Sequence, residues 1–113
     1  MTREDQRERV RTACEALPLS ERSNPFGPEV DVYKVDGRMF AVLTVVGDPG
    51  RVTLKCDPDL SEALRAEYAG ITPGYHANKR HWITVAFDAL VPTELCCALV
   101  EDSHALVARR RRR

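Results

Sequence analysis

Asp36-Gly37 lies between two stretches with strand character, and this hairpin constrains the fold more than any other feature of the chain. Val30-Asp31-Val32-Tyr33-Lys34-Val35 alternates apolar and polar residues at period two, the pattern of a half-buried strand. Asp-Gly is a strong signal for a two-residue hairpin turn, because glycine tolerates positive φ. Arg38 to Val46 forms the returning strand, and its nearly unbroken run Phe40-Ala41-Val42-Leu43 marks it as central. Gly47-Asp48-Pro49-Gly50 predicts a second turn. Arg51 to Cys56 predicts a third strand with Val52, Leu54 and Cys56 on one face. Three strands joined by tight turns are antiparallel neighbours.

Helical spacing flanks this unit. Val10, Ala13, Cys14 and Leu17 recur at i, i+3, i+4, i+7 and predict a first helix, capped by Thr2 or Asp5 and ended by Pro18. Arg3, Arg7 and Arg11 form a row on another side; a solvated face is expected there, and a face toward phosphates is the alternative. Asp5 with Arg9, and Glu8 with Arg11, are spaced as stabilising pairs. Residues 18–29 read as a loop, with Phe26 plugging the edge of the core. Asp57-Pro58 opens a second helix with an aspartate cap and a first-turn proline, and Gly70 is placed to terminate it. Ile71 to Arg80 reads as a loop. Trp82 to Phe87 is the next strand, with Trp82, Thr84 and Ala86 on one face and Ile83, Val85 and Phe87 on the other. Pro92 starts a third helix carried by Leu95, Cys96, Leu99 and Val100. Ser103 then caps a short final turn through Leu106 and Val107.

The predicted order is α-β-β-β-α-β-α. It argues for a two-layer α+β fold with an antiparallel sheet of four to five strands and the helices on one face. At 113 residues the chain is expected to be a single domain over 1–108, followed by a basic disordered tail over 109–113. No apolar run is long enough to cross a membrane and the N-terminus lacks the apolar segment of a signal peptide, so a cytoplasmic location is expected.

The formal net charge of zero conceals an asymmetry. Five of the seventeen basic residues are Arg109 to Arg113; the other twelve face seventeen acidic residues, leaving the body at −5. A nucleic-acid partner would therefore need a local basic patch, the terminal arginines, or both. The four cysteines, Cys14, Cys56, Cys96 and Cys97, make no C-x-x-C pair and are expected to be free thiols, Cys14 and Cys56 in the core. The glycines match no phosphate-binding loop, there is no Gly-x-Ser-x-Gly elbow, and His76, His81 and His104 make no His-x-x-x-His pair. A non-enzymatic protein with no cofactor, metal or small-molecule substrate is expected. A catalytic reading would require Cys56, His76 or His81 to meet in a deep pocket.

The stretch with the most chemistry is Tyr75 to Ala86. Lys79 and Arg80 supply charge for phosphates, and Asn78 and His81 supply donors. Trp82 either anchors the strand in the core, the ordinary role for a lone tryptophan, or offers a stacking face to a base. Together with Arg109, Arg110 and Arg111, these five residues are the candidate nucleic-acid-binding set.

Tyr75-His76-Ala77-Asn78-Lys79-Arg80-His81-Trp82-Ile83-Thr84-Val85 resembles the tyrosine-x-methionine-asparagine-lysine-x-histidine-tryptophan pattern of the MmcQ/YjbR family. Supporting pieces, in order, are Ala16-Leu17-Pro18, Val35-Asp36-Gly37-Arg38-Met39-Phe40-Ala41, Leu54-Lys55-Cys56-Asp57-Pro58 and Ser103 to Val107. Ala77 and His104 stand where methionine and tyrosine are common in the family. The resemblance implies an α+β fold with an antiparallel sheet like that of secretion chaperones. It also implies a DNA-binding role through a double-wing motif, so DNA is the expected partner. A protein partner, held on the sheet face or edge, is the alternative.

Overall fold

The computed structural model describes residues 3–44, 50–74, 77–88 and 90–111. The predicted turn at Gly47, the strand end at Val45 and Val46, the Thr2 cap, Tyr75, His76, Arg112 and Arg113 lie outside the described residues. Among the described residues the elements run α1 (Arg3–Ala16), β1 (Ser20–Ser23), β2 (Val30–Val35), β3 (Arg38–Thr44), β4 (Arg51–Lys55), α2 (Pro58–Glu67), β5 (Ile71–Pro73), β6 (Trp82–Ala86) and α3 (Thr93–Arg111). The strands make one antiparallel sheet in the order β1-β2-β3-β4-β6-β5.

The α+β class, the β2–β3 hairpin and the strand faces are as the sequence predicts. Asp36 and Gly37 both have positive φ, 54° and 78°, the mark of a type I′ turn. The sheet has six strands rather than four to five. The two additions are its edges. β1 is Ser-Glu-Arg-Ser, with no apolar alternation, and lies in the stretch read as a loop. β5 is Ile-Thr-Pro, and a proline is tolerated only where its missing N–H faces away from the ladder.

All three helices bury their apolar residues in one cluster. Val10 and Cys14 of α1, Leu64 of α2 and Cys96, Leu99, Val100 and Val107 of α3 pack with Tyr33, Ala41, Leu43, Val52, Leu54, Ile83 and Val85 of the sheet. Each large side chain fully buried this way contributes about 1.5–3 kcal/mol. The other face of the sheet is free of that cluster. It carries Val32, Val42, Thr53, Thr84 and Thr72 in one lateral row, read directly from the strand register.

Three local expectations are corrected. Phe26 does not plug the core; it is 73% exposed. Ser103 does not cap a short turn; it lies within the continuous helix α3 and is fully buried. The backbone of 109–111 continues α3 instead of leaving as a tail. Arginine is a good helix former, and positive charge at a helix C-terminus opposes the macrodipole, so extending a formed helix there costs little.

The β2–β3 ladder pairs Tyr33 with Ala41 and then Lys34 with Met39, leaving Phe40 as the extra residue of a β-bulge. Phe40 and Ala41 are consequently both buried on the helix side. His104 of α3 meets Phe40 edge-on with ring centroids 5.1 Å apart, and its Nε2 lies 2.9 Å from the Pro18 carbonyl. The end of α1 and the last turns of α3 are thereby tied to the bulge.

Candidate nucleic-acid interface

The chain enters β6 through a turn that its own side chains build. Asn78 accepts twice: its carbonyl from the His81 N–H at 3.2 Å and its side-chain Oδ1 from the Arg80 N–H at 2.9 Å. This is the local bonding for which asparagine is favoured in turns. Lys79 reaches back across the loop, and its Nζ donates to the Gly74 carbonyl at 3.1 Å. The Cys56 N–H donates to His81 O at 2.8 Å, carrying the β4–β6 pairing one residue beyond Lys55 and Trp82. From the other side the Gly74 N–H donates to Trp82 O at 2.9 Å. His81 and Trp82 are therefore clamped by the backbone of both neighbouring strands. Gly74 fits because there is no room for more: a Cβ there would stand 2.6 Å from Trp82 Cβ.

The sequence groups Asn78, Lys79, Arg80 and His81 as four equivalent donors; the structure divides them. Asn78 uses its side-chain oxygen to form the turn, and Lys79 uses one of its donors to brace it. All four residues are exposed, and Arg80 and His81 stand on a braced backbone. Lys79 has two further N–H groups to offer.

Trp82 is half-buried on the face away from the helices, so it is not a core anchor. Lys55 pairs with it across the β4–β6 ladder, and the Lys55 ammonium lies 6.0 Å from the ring centroid, within the range of a cation–π contact. Beside them, the hydroxyls of Thr53 and Thr84 meet at 3.0 Å.

Of the first-helix row, Arg7 and Arg11 do not extend this patch, and the Arg3 side chain lies outside what is described. Arg7 lies 3.7 Å from Glu8, and Arg11 donates to Glu8 and to the buried Asp31, each at 3.1 Å. α1 packs against α3 and β1, and Arg11 is held at Asp31 of β2, three strands from β6. Arg109, Arg110 and Arg111 lie at the end of α3, beyond Ser103. Ser103 accepts the Lys55 N–H at 2.9 Å, and Arg109 follows six residues later, about 9 Å along the helix.

Asp31 was not singled out from the sequence. It is 6% exposed and held by Arg11 on one oxygen and by Asn24 on the other at 2.7 Å. A charged residue on the same strand face as Tyr33 and Val35 was the available signal. Gln6, 3% exposed, likewise donates to the Val91 carbonyl at 2.7 Å, joining α1 to the entry of α3.

The thiols show little nucleophilic character. Burial pushes Cys56 up to about 11 and Cys14 and Cys96 up to about 12, and raises Cys97 as well. Cys56 meets His81 through backbone atoms only. Among the described residues, no three His, Cys, Asp or Glu side chains converge to hold a metal, and no helix is long and apolar enough to cross a membrane.

A family model described as YjbR matches residues 15–106. The chain is 40% identical over 91 residues to the uncharacterized protein YbdF of Escherichia coli O157:H7, covering 80% of this chain and 75% of that protein. It is 34% identical over 91 residues to the uncharacterized protein YjbR of Escherichia coli K12, covering 80% and 77%. Among solved structures, it resembles the Deinococcus radiodurans protein DR2400, of family-model domain DUF419. That likeness has a TM-score of 0.84 and 41% identity over 96% of this chain and 79% of that one. A Pseudomonas syringae protein follows with a TM-score of 0.74 and 26% identity, over 95% and 99%.

Proposed function

The chain belongs to the YjbR family, and from that premise we propose that it is a non-enzymatic, cytoplasmic DNA-binding protein. It contacts the phosphate backbone through the 78–81 turn and the arginines at the end of α3. The observation that carries this reading is the braced turn: Arg80 and His81 stand exposed on a backbone fixed by Asn78, Lys79 and both flanking strands. A cation held on a rigid support loses less freedom on meeting a phosphate than one on a loose loop. Titrating labelled duplex DNA at low and moderate salt tests it. The Lys79→Ala/Arg80→Ala variant and a variant lacking residues 109–113 are each expected to bind more weakly than the parent. Equal binding by all three, or none at low salt, contradicts the reading.

A protein partner is the second reading. Leu19 and Phe26, each 73% exposed, flank β1 and favour it. The sheet edges oppose it, since β1 is short, polar and charged and β5 contains proline, both features that discourage strand addition. Mass in solution separates the readings: a strict monomer across the working concentration range counts against self-association.

A further inference from the structure

We propose that the helix-free face of the sheet, from Trp82 across to Arg51, takes a short single strand of nucleic acid. The proposal rests on the nucleic-acid reading above and names the strand state that the site prefers.

The first observation is the segregation of charge. The body carries seventeen acidic residues. Yet among the described residues of β2 to β6, no Asp or Glu points to the helix-free face; Asp31, the only acidic residue within those strands, points to the helix side. The charged residues on the helix-free face are Lys34, Arg51 and Lys55. Glu21 of the edge strand β1 stands opposite Lys34 and weakens the field at that border. Toward β4 and β6 the face carries Arg51, Lys55 and Trp82, with Thr53 and Thr84 buried between them and bonded to each other. Arg51 and Lys55 are four positions apart on one strand, about 13 Å. A polyanion laid along β4 meets both.

The second observation is the position of Trp82. Its indole is half-buried on a strand face, not at the tip of a loop or a helix. The bases of a duplex stack on one another and show a protein only their edges, so an indole in this position cannot reach a base plane. An unpaired base can lie on it. The Lys55 ammonium, at the outer range of a cation–π contact, is displaced by the arriving base toward its phosphate. The 78–81 turn leads directly into Trp82 and holds the backbone on either side of that base.

Trp82 is the sole tryptophan, so its fluorescence reports the site in the unmodified full chain. An oligothymidylate of about 12 nucleotides, its duplex with oligoadenylate and an abasic strand of equal length are titrated in the same buffer. The account expects oligothymidylate to quench the indole and to bind about tenfold more tightly than the duplex, while the abasic strand binds without quenching. Lys55→Gln, checked for folding by circular dichroism, lowers single-strand affinity about fivefold more than duplex affinity. If the duplex binds through the 78–81 turn while oligothymidylate neither quenches nor binds more tightly, the single-strand proposal fails and the DNA-binding reading stands. If none of the three binds at low salt, both fail.

Discussion

The Ser103 hydroxyl, at the centre of α3, donates to the Phe40 carbonyl of β3 at 2.6 Å. The same oxygen accepts the Lys55 N–H of β4 at 2.9 Å. The β3–β4 ladder pairs Thr44 with Arg51 through to Ala41 with Leu54, so Phe40 and Lys55 are the next residues in register. The bulge at Phe40 diverts that pair, and a serine from the helix layer completes it. Because Lys55 also faces Trp82, one hydroxyl links the helix layer to the candidate interface.

Ser103→Ala is expected to destabilise the fold by about 1–3 kcal/mol, since it leaves a carbonyl and an N–H near the core without a partner. Urea unfolding followed by circular dichroism measures it. A loss below about 0.5 kcal/mol would mean that water replaces the hydroxyl at no cost.

Two glycines are expected to respond differently to alanine. Gly74→Ala meets Trp82 Cβ at 2.6 Å and its carbonyl carbon and oxygen at 3.1 Å, so β5 and β6 must move apart. A loss of about 1–3 kcal/mol and a shifted Trp82 emission maximum should result. Gly37→Ala meets no atom within 4 Å but must hold φ at +78°, which costs about 1–2 kcal/mol and leaves the emission unchanged. Equal emission spectra for the two variants would contradict the tight Gly74–Trp82 packing.

The buried thiols make stability fall with alkali. Cys14 and Cys96 are pushed up to about 12 and Cys56 up to about 11, against 9.0 for a free thiol. Above pH 9 the unfolded chain loses these protons while the folded chain keeps them, so fewer protons are bound in the unfolded state and stability declines. Below pH 9 both states are protonated and the thiols contribute no slope. Thermal melts from pH 7 to 10.5 should show a falling midpoint that is partly flattened in Cys14→Ala/Cys96→Ala. At neutral pH, Cys97, the one thiol not fully buried, is expected to react first with a thiol reagent. Faster labelling of Cys14 would contradict the packing of α1 on α3.

Arg11→Ala removes one of the two partners of Asp31. Because Asp31 is 6% exposed, the carboxylate left behind is expected to cost about 1–3 kcal/mol. DNA affinity per folded molecule should stay unchanged, since Arg11 is held at Asp31 of β2, three strands from β6. A weakened affinity in the folded variant would place α1 in the interface.

The hairpin, the strand faces and the Asp57 cap were legible because each is a local rule: period two, positive φ after aspartate, and an oxygen accepting from the Asp59 N–H. β1 and β5 were not, because an edge strand of Ser-Glu-Arg-Ser or Ile-Thr-Pro is made by its neighbour's backbone and leaves no apolar pattern. Ser103 was misread for a related reason. Ser103 before Leu106 and Val107 looks like a helix cap, and only the bulged strand beneath it explains a hydroxyl in mid-helix. In the candidate site, the clustering of residues 78–82 was visible, but the division between turn-building Asn78 and outward Arg80 depends on hydrogen bonds that spacing does not encode. The separation of Arg11 from that corner depends on strand order.

The central claim is that the turn entering β6 neutralises nucleic-acid phosphates, and the salt dependence of duplex binding tests it most directly. Each phosphate neutralised contributes about −0.9 to the slope of log affinity against log salt. The Lys79→Ala/Arg80→Ala variant is predicted to lower the magnitude of that slope by about 2 relative to the parent chain. Identical slopes for parent and variant, or no binding by the parent at about 50 mM salt, would contradict the claim.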